Sequence, residues 1–430
     1  MSTIMPKQKV AEFSSMHSLG VASGLAAGVW LGAAEAPTKL VNAGFSPYAI
    51  SFCMVAGVFT ARWTFPTLLK GTKYVFSDLA ENKHLIVWAV LAGAIWAVAN
   101  TLTVFAIRDV GLAVAFPLWN TNSLVGLLWG LLLFNELQGA AARDIAKVVL
   151  GAIAILGGAI LLGFSTIHAD QSSLHHARAG VAAALGASLL WGTMYVPYRK
   201  AYISGMNPLS FVTVFTVGEL ATVFLLVLAF DGGFRAPIFH SAQARPMLFW
   251  LFLGGFAWVI GDIFQQFATK YVGIGRGIPL SNTNQLWGLA WGALVFGELA
   301  AADRSHKIFV GCGSLVMILG VLAISTAVAT GGERASRNRA IKRECERFGL
   351  SYDHVLATNE GTEFTERERA RSFWDYCIIA GAVGVFAWLG TNAAVPALHV
   401  DYRWLTMLVG ILLATALGMG WRLWKLTRFG

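Results

Sequence analysis

Apolar runs of about twenty residues, each long enough as a helix to cross ~30 Å of hydrocarbon, recur along almost the whole chain. They lie at roughly 18–40, 47–69, 86–107, 112–134, 146–165, 180–198, 208–230, 247–269, 274–296 and 308–329. Two more follow, at roughly 374–396 and 404–424. The pattern predicts an all-α integral membrane protein with ten spans and a further two-helix hairpin. The first 17 residues are polar and mixed, and the run after them is long enough to stay in the membrane. No cleavable leader is expected there.

Part of the pattern occurs twice. FPLWNTNSLVGLLWGLLLFNEL (Phe116–Leu137) returns as IPLSNTNQLWGLAWGALVFGEL (Ile278–Leu299), and the register holds without a gap back to Gly93 and Gly255. About 20 of 45 positions are identical. The shift is about five helices long, far beyond a solenoid repeat. A five-helix unit repeated in a bilayer re-enters from the opposite side, which predicts two inverted repeats. The first covers 18–165 and the second 180–329, after an N-terminal segment (1–17) and joined by a linker (166–179). A charged loop (330–373) and the hairpin (374–430) lie outside the duplication. Glycine ridges open both halves: Gly20, Gly24, Gly28 and Gly32 match Gly180, Ala184, Ser188 and Gly192. Small residues so spaced let helix backbones approach closely in lipid.

Composition agrees. Of 430 residues 56% are apolar and 13% charged, against roughly 25% charged in a soluble protein. The net charge of +9 serves as an orientation signal. With both termini cytoplasmic, the inner loops hold Lys70, Lys73, Lys83, Arg143, Lys147, Arg199, Lys200, Lys270 and Arg276, and the opposite loops hold fewer. We therefore expect a multi-pass protein of the inner (cytoplasmic) membrane, in contact with lipid and not with nucleic acid, since no soluble basic domain is large enough. Cys53, Cys312, Cys345 and Cys377 lack metal-like spacing, and His168, His175 and His176 sit together in a polar linker. No metal and no cofactor is expected. A homodimer is left open by the sequence.

Candidate chemistry concentrates in the duplicated spans. Span three carries Trp96 and Asn100, with Thr103 on the same face; its partner, span eight, carries Trp258, Asp262 and Gln265 or Gln266. A carboxylate in mid-bilayer costs at least ~2.5–3.5 kcal/mol and needs a cavity or a partner, so Asp262 is expected to face one. The alternative is that Asn100 and Asp262 only bond neighbouring helices. An aromatic face beside amides and a carboxylate suits a polyol, whose C–H surface stacks while its hydroxyls form hydrogen bonds. Spans four and nine carry Pro-x-x-Asn-Thr-Asn, with Asn120 and Asn122 after Pro117, and Asn282 and Asn284 after Pro279. On a regular helix each Asn pair diverges by about 200°, so one of each is expected to face the pathway. Glu35 and Glu219 have no acidic repeat partner. With Asp262 they are the candidates for proton coupling, where one carrier is enough. Glu136 and Glu298 match each other and are read as interfacial.

These motifs resemble a known family. Two five-helix halves, the GAxWxxxN motif of span three and the run WGTMYVPYRKAY opening the second half (Trp191–Tyr202) are similar to the drug/metabolite transporter superfamily. The likeness is closer to its glucose/ribose porter and rhamnose–proton symporter branch, over residues 18–329. The resemblance implies spans one to four and six to nine around a central pathway, with five and ten outside. It also implies that Asn100 and Asp262 occupy the family's polar position and Lys200 a basic position after span six. The expected function is secondary transport of a monosaccharide or similar small polar metabolite, proton-coupled. A broad metabolite or drug exporter, or a non-transporting membrane sensor, is the alternative. No nucleotide-binding, HExxH or GxSxG signature points to an enzyme.

Overall fold

A computed structural model describes residues 7–34, 36–37, 45–110, 115, 118–164, 174–235, 245–297, 303–327, 330–360, 371–394 and 400–429. Polar caps followed by proline begin two equivalent helices, α2 (Pro47–Leu69) and α8 (Pro208–Phe230). Ser46 accepts the Ala49 N–H at 3.1 Å, and Asn207 accepts that of Leu209 at 2.8 Å. Each cap satisfies an orphan donor, and proline at the first helical position has no N–H to strand. The other long core helices are α1 (Lys7–Ala34), α4 (Ile86–Val110), α6 (Ala142–Phe164), α7 (Leu174–Ile203), α9 (Arg245–Val272) and α12 (Arg304–Ser325). A short helix, α3 (Thr72–Glu81), links α2 to α4.

Spans four and nine, which carry the Pro-x-x-Asn-Thr-Asn signature, are interrupted at it. In the first half Leu118 and Trp119 are helical, Asn120 and Thr121 turn, and α5 runs from Asn122 to Phe134. In the second, α10 (Ile274–Ser281) stops, Asn282 and Thr283 turn, and α11 (Asn284–Ala290) resumes before one π turn at Trp291–Val295. The ψ angles of Asn282 and Thr283, −1° and −6°, are far from the roughly −42° of an α-helix. Pro279, inside α10, has no N–H to give the ladder. The interruptions face protein, where such backbone is tolerated in a membrane. Ten described helices are long and apolar enough to cross: eight in the core and two in the hairpin.

Lipid offers helices no hydrophobic incentive to associate, so close backbone packing must do it. A Cβ placed on Gly57 of α2 would stand 2.1 Å from the Phe252 carbonyl oxygen of α9, and one on Gly255 would stand 2.0 Å from that of Met54. The equivalent crossing of α8 with α4 has Gly218 at 2.2 Å from Val90 and Gly93 at 2.0 Å from Phe215. The same contacts are thus made twice. Equivalent helices that meet run in opposite directions: α6 crosses α12 with Gly151 on Gly320 and Gly158 on Gly313. That direction agrees with an inverted pair. The α1 ridge receives the broken span nine, with Gly28 against Thr283 and Gly32 against Asn284. Helices α6 and α12 pack on each other at the periphery, and Leu150, Ile153, Leu315 and Leu319 are exposed.

The segment after α12 folds as α13 (Gly331–Phe348) and α14 (Tyr352–Glu360), followed by α15 (Phe373–Thr391) and α16 (Tyr402–Thr427). A capping box of Ser372 and Asp375 opens α15. α15 lies along α2 and α9, and α16 along α1 and the π turn. Both present Trp388, Leu413, Leu417 and Trp421 outward.

The crossings make a direct prediction. Gly255→Val and Gly57→Val should each lower the melting temperature in detergent, by the equivalent of about 1–3 kcal/mol or more. Gly381→Ala, with nothing within 4 Å of its added Cβ, should leave it unchanged. Equal melting of all three variants would show that the crossings are not tight.

Candidate functional site

Where the two broken spans face α4 and α9, they leave a cavity of about 250 Å³. Trp96, Asn100, Asn120 and Asn122 line it from the first half, and Trp258, Gln265, Asn282 and Asn284 from the second. Helical spacing sets Trp96 and Asn100 one turn apart on α4. The two tryptophans meet edge to face, their ring centroids 5.0 Å apart, a favoured geometry for aromatic pairs. Both asparagines of each signature reach the cavity, which differs from the expectation of one per pair. That expectation assumed a regular helix through Asn-Thr-Asn, and the turn there removes the 200° divergence. Trp119, Trp191 and Tyr195 complete the aromatic wall; sequence reading missed all three. Trp191 and Tyr195 lie inside the quoted WGTMYVPYRKAY run, which was the available signal.

Part of the polar lining is committed to the protein. Asn100 donates to Ser51 Oγ at 2.8 Å, Gln265 to Ser281 Oγ at 2.5 Å, and Asn282 to Asn122 Oδ1 at 3.1 Å. The last bond joins the two halves. Other groups have no hydrogen-bond partner: Trp96 Nε1, Asn120 Nδ2, Trp191 Nε1 and Asn284 Oδ1. Trp96 and Asn120 are only 2% and 4% exposed. Buried donors left unmet cost about 1–3 kcal/mol each, so these groups are open to hydrogen bonds from water or a ligand in the cavity.

Asp262 and Gln266 are not among the lining residues. They stand one layer behind, where Asp262 is fully buried and pairs with Arg62 of α2 at 2.7 Å. Arg62 also contacts Glu219 of α8 at 2.8 Å. All three side chains are wholly enclosed. Gln266 donates to Asp262 at 2.8 Å and accepts from the Tyr202 hydroxyl. The Arg62 guanidinium lies 4.3 Å from the Phe215 ring centroid and 5.4 Å from that of Trp258, within cation–π range. Trp258 therefore touches both the cavity and the charge cluster. Arg62 was not singled out from sequence, although a lone cation in mid-span is a signal in itself.

The remaining candidates divide. Glu35, Pro117, Glu298 and His168 lie outside the described residues. Glu136, expected at the interface, is 4% exposed and caps α10, accepting the N–H groups of Ile274 and Gly275 at 2.9 Å each. A carboxylate suits the positive end of a helix. Lys200 is not among the lining residues and pairs with Glu344 of α13 at 3.5 Å. Among the described residues no group of His, Cys, Asp and Glu could hold a metal ion.

A multi-pass helical membrane protein with broken helices around a central cavity of aromatic and amide side chains has the build of a transporter. Comparison with known proteins supplies the relatives. The model of the EamA-like transporter family matches residues 178–326, and that of the sugar transport protein family matches residues 63–214. A Listeria innocua protein is 22% identical over 59% of this chain and 83% of its own length, and one from Listeria monocytogenes is 26% identical over 59% and 84%. A Lactobacillus johnsonii protein is 32% identical over 25% of this chain and 36% of its own. All three bear the description "Putative sugar uptake protein". A solved crystal structure shares the fold at a TM-score of 0.50, with 16% identity, over 74% of this chain and 98% of that one. The chain is a transporter rather than an enzyme, similar to EamA-like transporters over residues 178–326 and to sugar transport proteins over residues 63–214.

The cluster generates its own prediction. Arg62→Met should destabilise the protein by about 3–5 kcal/mol, because it strands buried carboxylates. Adding Glu219→Gln and Asp262→Asn should recover most of that loss, read as the melting temperature in detergent. A single Arg62→Met variant as stable as the parent would mean the three groups do not form one electrostatic unit.

Proposed function

We propose that the cavity takes a monosaccharide or a similar small polyol and that the protein carries it across the membrane, coupled to protons. The observation that carries this reading is the wall itself, aromatic faces with unmet amide and indole groups contributed by both halves. A neutral hydroxylated ligand satisfies N–H donors and the Asn284 carbonyl at once, while its C–H faces lie on Trp96 and Trp258. The names of the Listeria relatives support the substrate class. The excess of Lys and Arg in the loops on one side supports cytoplasmic termini.

Coupling is assigned to the layer behind the cavity. Two carboxylates share one guanidinium, so with all three ionised the cluster holds one unbalanced negative charge away from water. A single proton on Asp262 or Glu219 brings it to neutrality, and uncompensated charge is what the membrane interior disfavours most. Trp258 lies between this cluster and the ligand. Stacking a sugar on the ring shifts the same side chain that flanks Arg62, which links occupancy of the cavity to the charge state behind it.

Counterflow with labelled sugars in proteoliposomes tests the substrate class. Asp262→Asn should retain binding and exchange yet lose uphill accumulation driven by a proton gradient. Trp258→Ala should weaken binding itself, by roughly tenfold or more for the loss of a stacked aromatic worth up to about 1.5 kcal/mol beyond its buried area. If Asp262→Asn still accumulates sugar with an unchanged pH profile, the carboxylate is structural and Glu219 becomes the coupling candidate.

A further inference from the structure

A second cavity, of about 170 Å³, lies between the core and the appended α13. It is on the side of the bundle where Phe429 accepts from Asn207 at 2.7 Å. Asn135 and Gln138 line it from the turn after α5, Arg199 from the end of α7, and Arg337, Arg339 and Arg343 from α13. No carboxylate is among its lining residues.

The sequence of α13 explains the imbalance. It holds six basic residues and three acidic ones, Glu333, Glu344 and Glu346. All three glutamates are engaged away from the cavity. Glu333 pairs with Arg276 and accepts the Leu137 N–H at 3.1 Å, Glu344 pairs with Lys200 at 3.5 Å, and Glu346 with Lys342 at 3.9 Å. The first two pairs pin α13 to the core at both ends, and the arginines between them are held over the space. Arg199 is 6% exposed, and its Nη1 donates to the carbonyls of Thr269 and Lys270 at 3.4 and 3.2 Å. Its Nε makes no hydrogen bond and is 4.0 Å from Glu136, whose carboxylate is already occupied by the α10 N–H groups.

Four arginines and two amide residues thus line a small polar space. Guanidinium forks match the spacing of phosphate oxygens, and such charge-assisted bonds are about twice as strong as neutral ones. The volume is below the roughly 300–1,000 Å³ of pockets for drug-sized ligands, which suits a phosphate group and not a whole nucleotide. We propose that this cavity binds a phosphate group, on a free phosphorylated small molecule or on the head of an anionic lipid. Bound there, it would clasp α13 to the turn after α5 and the end of α7, elements of both halves.

The test uses the full-length protein and reads its melting temperature, so its outcome is separate from sugar transport. In detergent the probes are inorganic phosphate and a hexose 6-phosphate, with chloride at matched ionic strength as the control. In nanodiscs, phosphatidylglycerol is compared with phosphatidylcholine. Saturable stabilisation by the soluble phosphates identifies a free ligand. Stabilisation by phosphatidylglycerol alone identifies a lipid head. In either case the double variant Arg339→Gln, Arg343→Gln should bind about tenfold more weakly or worse, since each bond to a charged group is worth ~1.5–3 kcal/mol. Both arginines are exposed on α13, and Arg343→Gln alone serves if the pair does not fold. No stabilisation by any phosphate, or equal stabilisation of the variant, overturns the proposal.

Discussion

A guanidinium in mid-bilayer must be met by carboxylates, and much of this structure follows from where they are. Arg62 of α2 reaches Glu219 on α8 and Asp262 on α9, so one side chain ties the second span of the first half to two spans of the other. Breaking such a pair from one side costs far more than its formation contributes. The three helices are thereby held in register at the height where the cavity opens. The aromatic flanks, Phe215 and Trp258, lie 4.3 and 5.4 Å from the guanidinium, and Trp258 also lines the cavity.

Around that cluster, symmetry and its violation have separate roles. Glycine crossings occur in matched pairs, Gly57 with Gly218 and Gly93 with Gly255, and give both halves the same close approach. Trp96 on Trp258 and Asn122 on Asn282 join the halves at the cavity. The charges break the pattern. Counting from the matched Gly57 and Gly218, the place of Arg62 is taken by Val223. A symmetric frame can expose one cavity to either side of a membrane, while the proposed coupling charge is assigned to the one cluster that the repeat does not match.

What was legible in the sequence follows from the same division. The spans could be read from hydropathy because a bilayer forces backbone satisfaction within each helix. The repeat singled out Trp96, Trp258 and the four asparagines, and these line one cavity. Arg62 escaped because a search for duplicated positions passes over a residue that occurs once. The pointing of Asn120 and Asn122 was misjudged because a regular helix was assumed through Asn-Thr-Asn, where the chain turns. Glu136 looked interfacial from its place at the end of a span; only the fold shows α10 starting beside it. The pairing of Glu333 with Arg276 joins positions 57 residues apart, and no local pattern announces it.

The central claim is that sugar in the cavity and a proton on the Arg62 cluster move together. The most direct measurement is the pH change outside de-energised proteoliposomes when sugar is added, with the sugar taken up counted in parallel. Alkalinisation by one proton for each sugar that enters, abolished by a protonophore, is the expected result. Sugar entry at the same rate with no pH change, at every pH tested, would contradict it.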